Sequence, residues 1–232
     1  MLSKERMLDV LRFAHQQEIA FIDRLSEAER ADPGAAGRWS AKDVIAHLAV
    51  WKGRLLDRLH GAPRDERPDD AINAEIYQAH HAKSWAEVRA MAEEASRRTQ
   101  EYVRAASLED LTREDKLPDG NSRVAWMAIM AESVSHAMAH LWDFHLQQGQ
   151  PERAITLQEA TAAQLRELDD PNVAAYGVYN LACVYARAGR IQDAIRALDE
   201  ALRLRPQLTE WSKQDPDLAA LRGEPGYQAL YT

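Results

Sequence analysis

Apolar residues recur every three or four positions along most of the chain, which is the period of a helix. Leu8, Leu11, Ile19, Ile22 and Leu25 define a first stripe over residues 3 to about 31, ending at the breaker cluster Asp32-Pro33-Gly34. A second stripe runs Val44, His47, Leu48, Trp51, Leu55, Leu59 and opens at Ser40-x-x-Asp43, the spacing of a capping box. The acid there also suits the helix dipole, so Asp43 reads as a cap rather than a catalytic acid. The charged stretch from Gly61 to Asp70 is long for a tight turn and suits a crossover along a bundle. A short helix is expected over Ala71–His81. Ser84 with Glu87 opens a third long helix carrying Val88, Met91, Ala95 and Val103 and ending near Ala106. Leu108 to Asn121 reads as a polar linker turning at Pro118-Asp119-Gly120. The fourth long helix is expected over Ser122–Gln148. Met127, Met130, Val134, Met138 and Leu141 line one side of it, and Trp126, Ile129 and Phe144 continue round, so it should be covered on more than one side.

The character changes after residue 150. Tyr179-Asn-Leu181-Ala182-Cys-Val-Tyr185 through Gly189, Ala194, Leu198, Ala201 and Pro206 resembles a tetratricopeptide repeat. Small residues at Ala182 and Ala194 let two antiparallel helices approach, Tyr185 and Leu198 fill the seam, and Pro206 ends the second helix. Gly149-Gln-Pro-Glu-Arg-Ala154-Ile155 echoes Gly189-Arg-Ile-Gln-Asp-Ala194-Ile195, at a spacing longer than the ~34-residue period. Residues 151–168 therefore read as a degenerate repeat helix partnered by the end of the fourth helix. The tail from Asp215 to Leu230 resembles the segment that closes such repeats. So short a repeat region should pack rather than swing free. The expected division is 1–150 for a four-helix bundle and 151–232 for the repeat-like segment, all-α throughout.

Composition narrows the function. The chain has 232 residues, 29 Lys+Arg against 37 Asp+Glu, and a net charge of -8. That argues against a phosphate-backbone binder, so no nucleic-acid partner is expected. No apolar run approaches the ~18 residues that span a bilayer, and the N-terminus is a poor signal peptide. One cysteine, Cys183, rules out an internal disulfide and fits a reducing compartment, so a cytoplasmic location is expected.

The chemistry-bearing pattern is His136-x-x-x-His140. Residues four apart lie one above the other on a helix face, and two imidazoles so placed can grip one metal ion but not close its shell. His15 and His47 lie within apolar stripes, where a lone histidine is an ordinary core residue. His80 and His81 are adjacent, so their side chains diverge and they read as surface residues.

Trp39-Ser-Ala-Lys-Asp43-Val-Ile-Ala-His47-Leu and His136-x-x-x-His140 together resemble the DinB-like superfamily of four-helix bundles, which includes YfiT-like proteins. Asn73-Ala-Glu-Ile76-Tyr77 and Ser84-Trp85-Ala-Glu-Val88 look more like its ClbS/DfsB branch. The resemblance implies a three-histidine site for a divalent metal, with His47, His136 and His140 as ligands. Neutral imidazoles suit zinc, nickel, iron or copper, and three protein ligands leave a position open for water or substrate. Asp43, Glu132 and Asp143, each within a turn of a histidine, are candidate outer acceptors. Three readings follow: a metal-dependent hydrolase or small-thiol transferase acting on a small molecule; a metal-free ClbS-like protein binding or hydrolysing a reactive small molecule in a pocket drawn from Trp51, Tyr77, Trp126 and Trp142; and a non-enzymatic module holding a protein partner through the repeat. The bundle is also a candidate surface for a homodimer.

Overall fold

The computed structural model describes residues 3–34, 38–116 and 122–231, and these are helical almost throughout. Packing divides the chain into Met7–Ala137 and Met138–Thr232, the latter joined by Met1–Arg6, whose Arg6 guanidinium donates to the Glu167 carbonyl at 3.0 Å. This division falls inside the fourth helix. Trp142, beyond the division, joins the apolar core of the C-terminal unit.

The first unit is a four-helix bundle. Its long helices are α1 (Lys4–Arg24), α3 (Ala41–Leu59), α5 (Trp85–Ala105) and a run that begins with α7 (Ala125–Met130). Local chemistry sets their starts. Ser40 with Asp43 and Ser84 with Glu87 each form a reciprocal capping box, satisfying two backbone donors that a helix end leaves open. A third box, Ser26 with Glu29, explains why the first stripe is not one helix: α1 stops at Arg24 and α2 (Glu27–Ala31) restarts behind the new cap. The Ser-x-x-Glu signal was present in the sequence, masked by a continuous apolar stripe. The short helix α4 (Asp69–His80) occupies the crossover. The core is filled by Met7, Leu11, Ile22, Ile45, Leu48, Leu56, Val88, Ile129 and Met130, all nearly inaccessible.

Two departures lie before and within the fourth helix. The polar linker contains a short helix, α6 (Leu108–Thr112), and an antiparallel ladder of β1 (Glu114–Lys116) with β2 (Ser122–Val124), Asp115 opposite Arg123. The expected turn at 118–120 lies outside the described residues. After α7 the helix widens into a π-helical segment, Ala131–His136, before resuming as α8 (Ala137–Gln147). A π segment hydrogen-bonds five residues back instead of four, so it rotates the residues that follow. No glycine or proline announces it.

The C-terminal unit stacks α9 (Pro151–Arg166), α10 (Pro171–Arg187) and α11 (Ile191–Leu204). Gly177 permits the α9–α10 approach: a Cβ there would sit 3.0 Å from Leu165 Cδ1 and 3.1 Å from Ala162 Cα. Ala182, Ala194, Leu198 and Ala201 are fully buried in the second seam, and α11 stops just before Pro206. Two short 3₁₀ helices, Pro206–Leu208 and Pro216–Leu221, flank α12 (Thr209–Gln214), and α13 (Pro225–Gln228) follows. Leu218, Leu221 and Tyr227 from this tail enter the same core, so it covers the last helix pair.

Candidate metal centre

His47 sits on α3, seven residues beyond its Ser40 cap, on the stripe that faces the bundle interior. Its side chain is 3% exposed. His136 closes the π segment and is half-buried. The two rings meet edge to face, with their Nε2 atoms 3.3 Å apart. His140 follows on the same unbroken helical run, and one ligand atom from each of the three imidazoles lies within 4.8 Å of the others.

Glu132 fixes the chemistry of His136. Its Oε1 lies 2.7 Å from His136 Nδ1, four residues on within the π segment. A carboxylate can only accept, so Nδ1–H donates, and in the tautomer this selects for a neutral ring it is Nε2 that carries the lone pair, on the side facing His47. A carboxylate, an imidazole and an open ring nitrogen in line is the arrangement by which proteins orient a metal-ligating histidine. The spacing fits as well. Two nitrogens bound tetrahedrally at about 2.0–2.1 Å from one metal lie roughly 3.3 Å apart. The donor set of three imidazoles therefore fits a divalent ion of the zinc, nickel or iron type.

The other acidic candidates do different work. Asp43 is buried and holds Ser40, accepting from its hydroxyl at 2.5 Å and its amide at 3.3 Å, so it is a cap. Asp143 pairs with Arg187 at 2.7 Å. The aromatic candidates also separate. Trp51 stands 6.0 Å from His47 by ring centroid and donates to Asn73 Oδ1. Trp126 is buried, and Trp142 belongs to the core of the C-terminal unit. Trp39, quoted above only as part of a motif, lies closest of these, 4.5 Å from His47.

A small hollow beside His47 is lined by Trp39, Asp43, Ile76, Tyr77 and His80. A cleft of about 520 Å³ shares Trp39, Asp43 and Tyr77 and adds Arg38, Asp70, Asn73 and Gln78. His80 is thus not a surface residue as its neighbour His81 is: it is partly buried, and burial holds its imidazole below the usual range. His81 stays outside, stacked on Tyr77 at 5.0 Å. Periodicity could not foresee the partial burial of His80 because the hollow is made by α4 packing against α3.

His15 is half-buried on α1 with no partner for Nδ1 among the described residues, and desolvation lowers its affinity for a proton. Near it lies a pair that the sequence did not announce: Lys52 of α3 with Glu18 of α1, both buried. Lys52 stands one turn after Leu48 and before Leu55, and only the fold brings it to an acid.

Comparison with known proteins bears on the same residues. The sequence model of the DinB superfamily matches residues 10–144, and that of the tetratricopeptide repeat matches 175–208. No curated protein and no solved structure matches the chain. Among the described residues no helix is long and apolar enough to cross a membrane.

Proposed function

This chain belongs to the DinB superfamily, and from that premise we propose that it is a divalent-metal-dependent enzyme acting on a small molecule, with His47, His136 and His140 as the ligands. One observation carries the proposal: His136 Nδ1 is committed to Glu132, leaving its Nε2 lone pair 3.3 Å from the Nε2 of buried His47. Two lone pairs aimed at each other repel unless a cation or a proton lies between them.

A divalent ion held by three neutral imidazoles supplies a Lewis acid that lowers the pKa of bound water or of a bound thiol. The chain's own residues supply the rest. Glu132 keeps His136 in the ligating tautomer and adds a negative charge beside it. Burial of His47 keeps that ring in one orientation. Trp39 and Tyr77 line both the small hollow that holds His47 and the larger cleft, where Arg38, Asp70, Asn73 and Gln78 offer polar contacts to a substrate. The chain offers no thiol at this place, because Cys183 is buried in the C-terminal unit. The nucleophile is therefore water, for a hydrolase, or a thiol that arrives with a cosubstrate, for a transferase.

A second reading rests on the same contact. If His47 Nε2 carries the proton, it donates to His136 at hydrogen-bond length, and the pocket works without metal as a ClbS/DfsB-like binding or hydrolytic site. Elemental analysis after reconstitution with zinc, nickel or iron(II) separates the two. About one ion lost in His136→Ala supports the metal enzyme. No ion retained by the wild type at these histidines overturns it in favour of the metal-free site. The repeat segment is consistent with a protein partner, which neither reading requires.

A further inference from the structure

We propose that the cleft where α3, α5, α6 and α7 come together binds a small organic anion, a carboxylate on an apolar body. The cleft has a volume of about 800 Å³, within the range of ligand pockets. It lies inside the first unit and apart from the three histidines. Its α3 residues, Leu55 to Leu59, come two to three turns after His47, roughly 12–18 Å along the helix at 1.5 Å per residue.

Alanines leave the space open. α5 ends at Ala105 with Ala106 as its C-cap, and α7 contributes Ala125 and Ala128. These side chains are too short to close a gap that a packed interior would fill. Leu55, Leu56 and Ala125, only 4%, 1% and 6% exposed, form an apolar floor. His60 and Tyr102 also line the cleft, their rings edge to face with centroids 5.3 Å apart. His60 Nδ1 lies 2.7 Å from the Leu56 carbonyl, which can only accept, so Nδ1–H donates and holds the ring. A wall fixed before the ligand arrives lowers the ordering cost of binding.

Charge decides the class of ligand. Three guanidiniums line the cleft from three elements: Arg58 of α3, Arg98 of α5 and Arg113 at the end of α6. Two carboxylates line it as well, and both are engaged. Glu101 pairs with Arg97 at 2.5 Å. Asp110 accepts from the Ser107 hydroxyl at 2.6 Å and pairs with Arg113 at 3.0 Å. Arg98 reaches Asp57 at 3.4 Å, long for a charge-assisted bond. Exposed pairs of this kind are weak and yield to a better-placed anion. A guanidinium carries five donors in a fork that matches a carboxylate, more than one exposed partner uses. The chain as a whole has a net charge of -8, so a cleft with more cations than anions runs against its overall charge. A carboxylate on an apolar body answers both parts of the lining. Its head meets the guanidiniums, and its body covers the leucine floor. A bare inorganic anion leaves the floor wet, and an uncharged hydrocarbon leaves the guanidiniums unmatched.

Isothermal titration calorimetry of the full-length protein with sodium octanoate and with sodium naphthoate tests this, with octanol as the uncharged analogue and inorganic phosphate as the bare anion. One saturable site is expected for each carboxylate, with an affinity that falls as salt is added. Octanol and phosphate should each bind roughly tenfold or more weakly than octanoate. Arg98→Gln should weaken carboxylate binding about tenfold. Ala105→Trp, at an exposed position, should fill the cleft and abolish binding while circular dichroism shows the helical fold intact. His136→Ala should bind as the wild type does, which separates this cleft from a carboxylate held by a metal at the histidines. No saturable binding of either carboxylate to the folded wild type overturns the proposal. Octanol or phosphate binding as tightly as octanoate, or unchanged affinity in folded Arg98→Gln, removes the amphipathic anion and sinks it too. Undiminished binding in folded Ala105→Trp, or loss of binding in His136→Ala, places the ligand elsewhere and equally refutes it.

Discussion

Glu18 and Lys52 meet inside the bundle with side chains only 1% and 3% exposed, and removing one partner should cost more than removing both. In Lys52→Met the Glu18 carboxylate keeps its burial and loses the cation it is paired with, while its Oε2 already lacks a partner among the described residues. Breaking a buried pair this way costs about 3–5 kcal/mol, whereas replacing both members by apolar groups of similar volume is often neutral or stabilising by ~1–4 kcal/mol. Glu18→Met should fall in the first range and Glu18→Met/Lys52→Met near or above the wild type. Native-state hydrogen exchange at amides of α1 and α3 reads the bundle separately from the C-terminal unit, which a single melting curve does not. A coupling of several kcal/mol is expected from the cycle. If the double variant instead costs the sum of the singles to within about 0.5 kcal/mol, the two charges are energetically independent and the reasoning fails.

Glu132→Gln should weaken metal binding by about 10–100-fold, because the amide no longer holds the His136 tautomer by charge; competition with a chromophoric chelator measures it. Gly177→Val should destabilise the C-terminal unit by about 1–3 kcal/mol despite replacing a helical glycine, since the new side chain meets the Ala162 backbone; exchange at amides of α9 and α10 would report it. His15 has a folded pKa held below its unfolded value of 6.5, chiefly by burial. The unfolded chain then binds the proton first, so stability is full above about pH 6.5 and falls as pH drops through the folded value. His15→Gln should flatten that acid slope of the stability profile, and an unchanged slope would remove His15 from its causes. His80, lowered for the same reason, should leave a residual slope.

The helices, two of the three capping boxes and the repeat were legible because each depends on residues near in sequence. A stripe at helical spacing, a Ser with an acid three residues on, and a small-residue seam between consecutive helices need no distant partner. The His136/His140 pair was legible for the same reason, and Glu132 was already a candidate by proximity. His47 was a different case. Its position on an apolar stripe is equally that of a plain core histidine, and it entered the candidate site through a family resemblance rather than through periodicity.

What only the tertiary structure decided depends on residues meeting across large gaps of chain or on backbone energy spread over several turns. The π segment has no breaker residue to mark it, yet it carries Glu132 and His136 and sets their contact. The 3.3 Å approach of His47 to His136 requires α3 and the fourth helix to be packed, as does the burial of Lys52 against Glu18. Nothing near Cys183 in the sequence names its neighbours; the fold turns Asp215 and Asp217 of the tail back to within 4.8 Å of it. Local patterns thus determined which segments are helices and which faces they bury. The pairing of those faces decided which polar side chains meet in the interior, because a buried charge or imidazole is tolerated only where the fold brings it a partner.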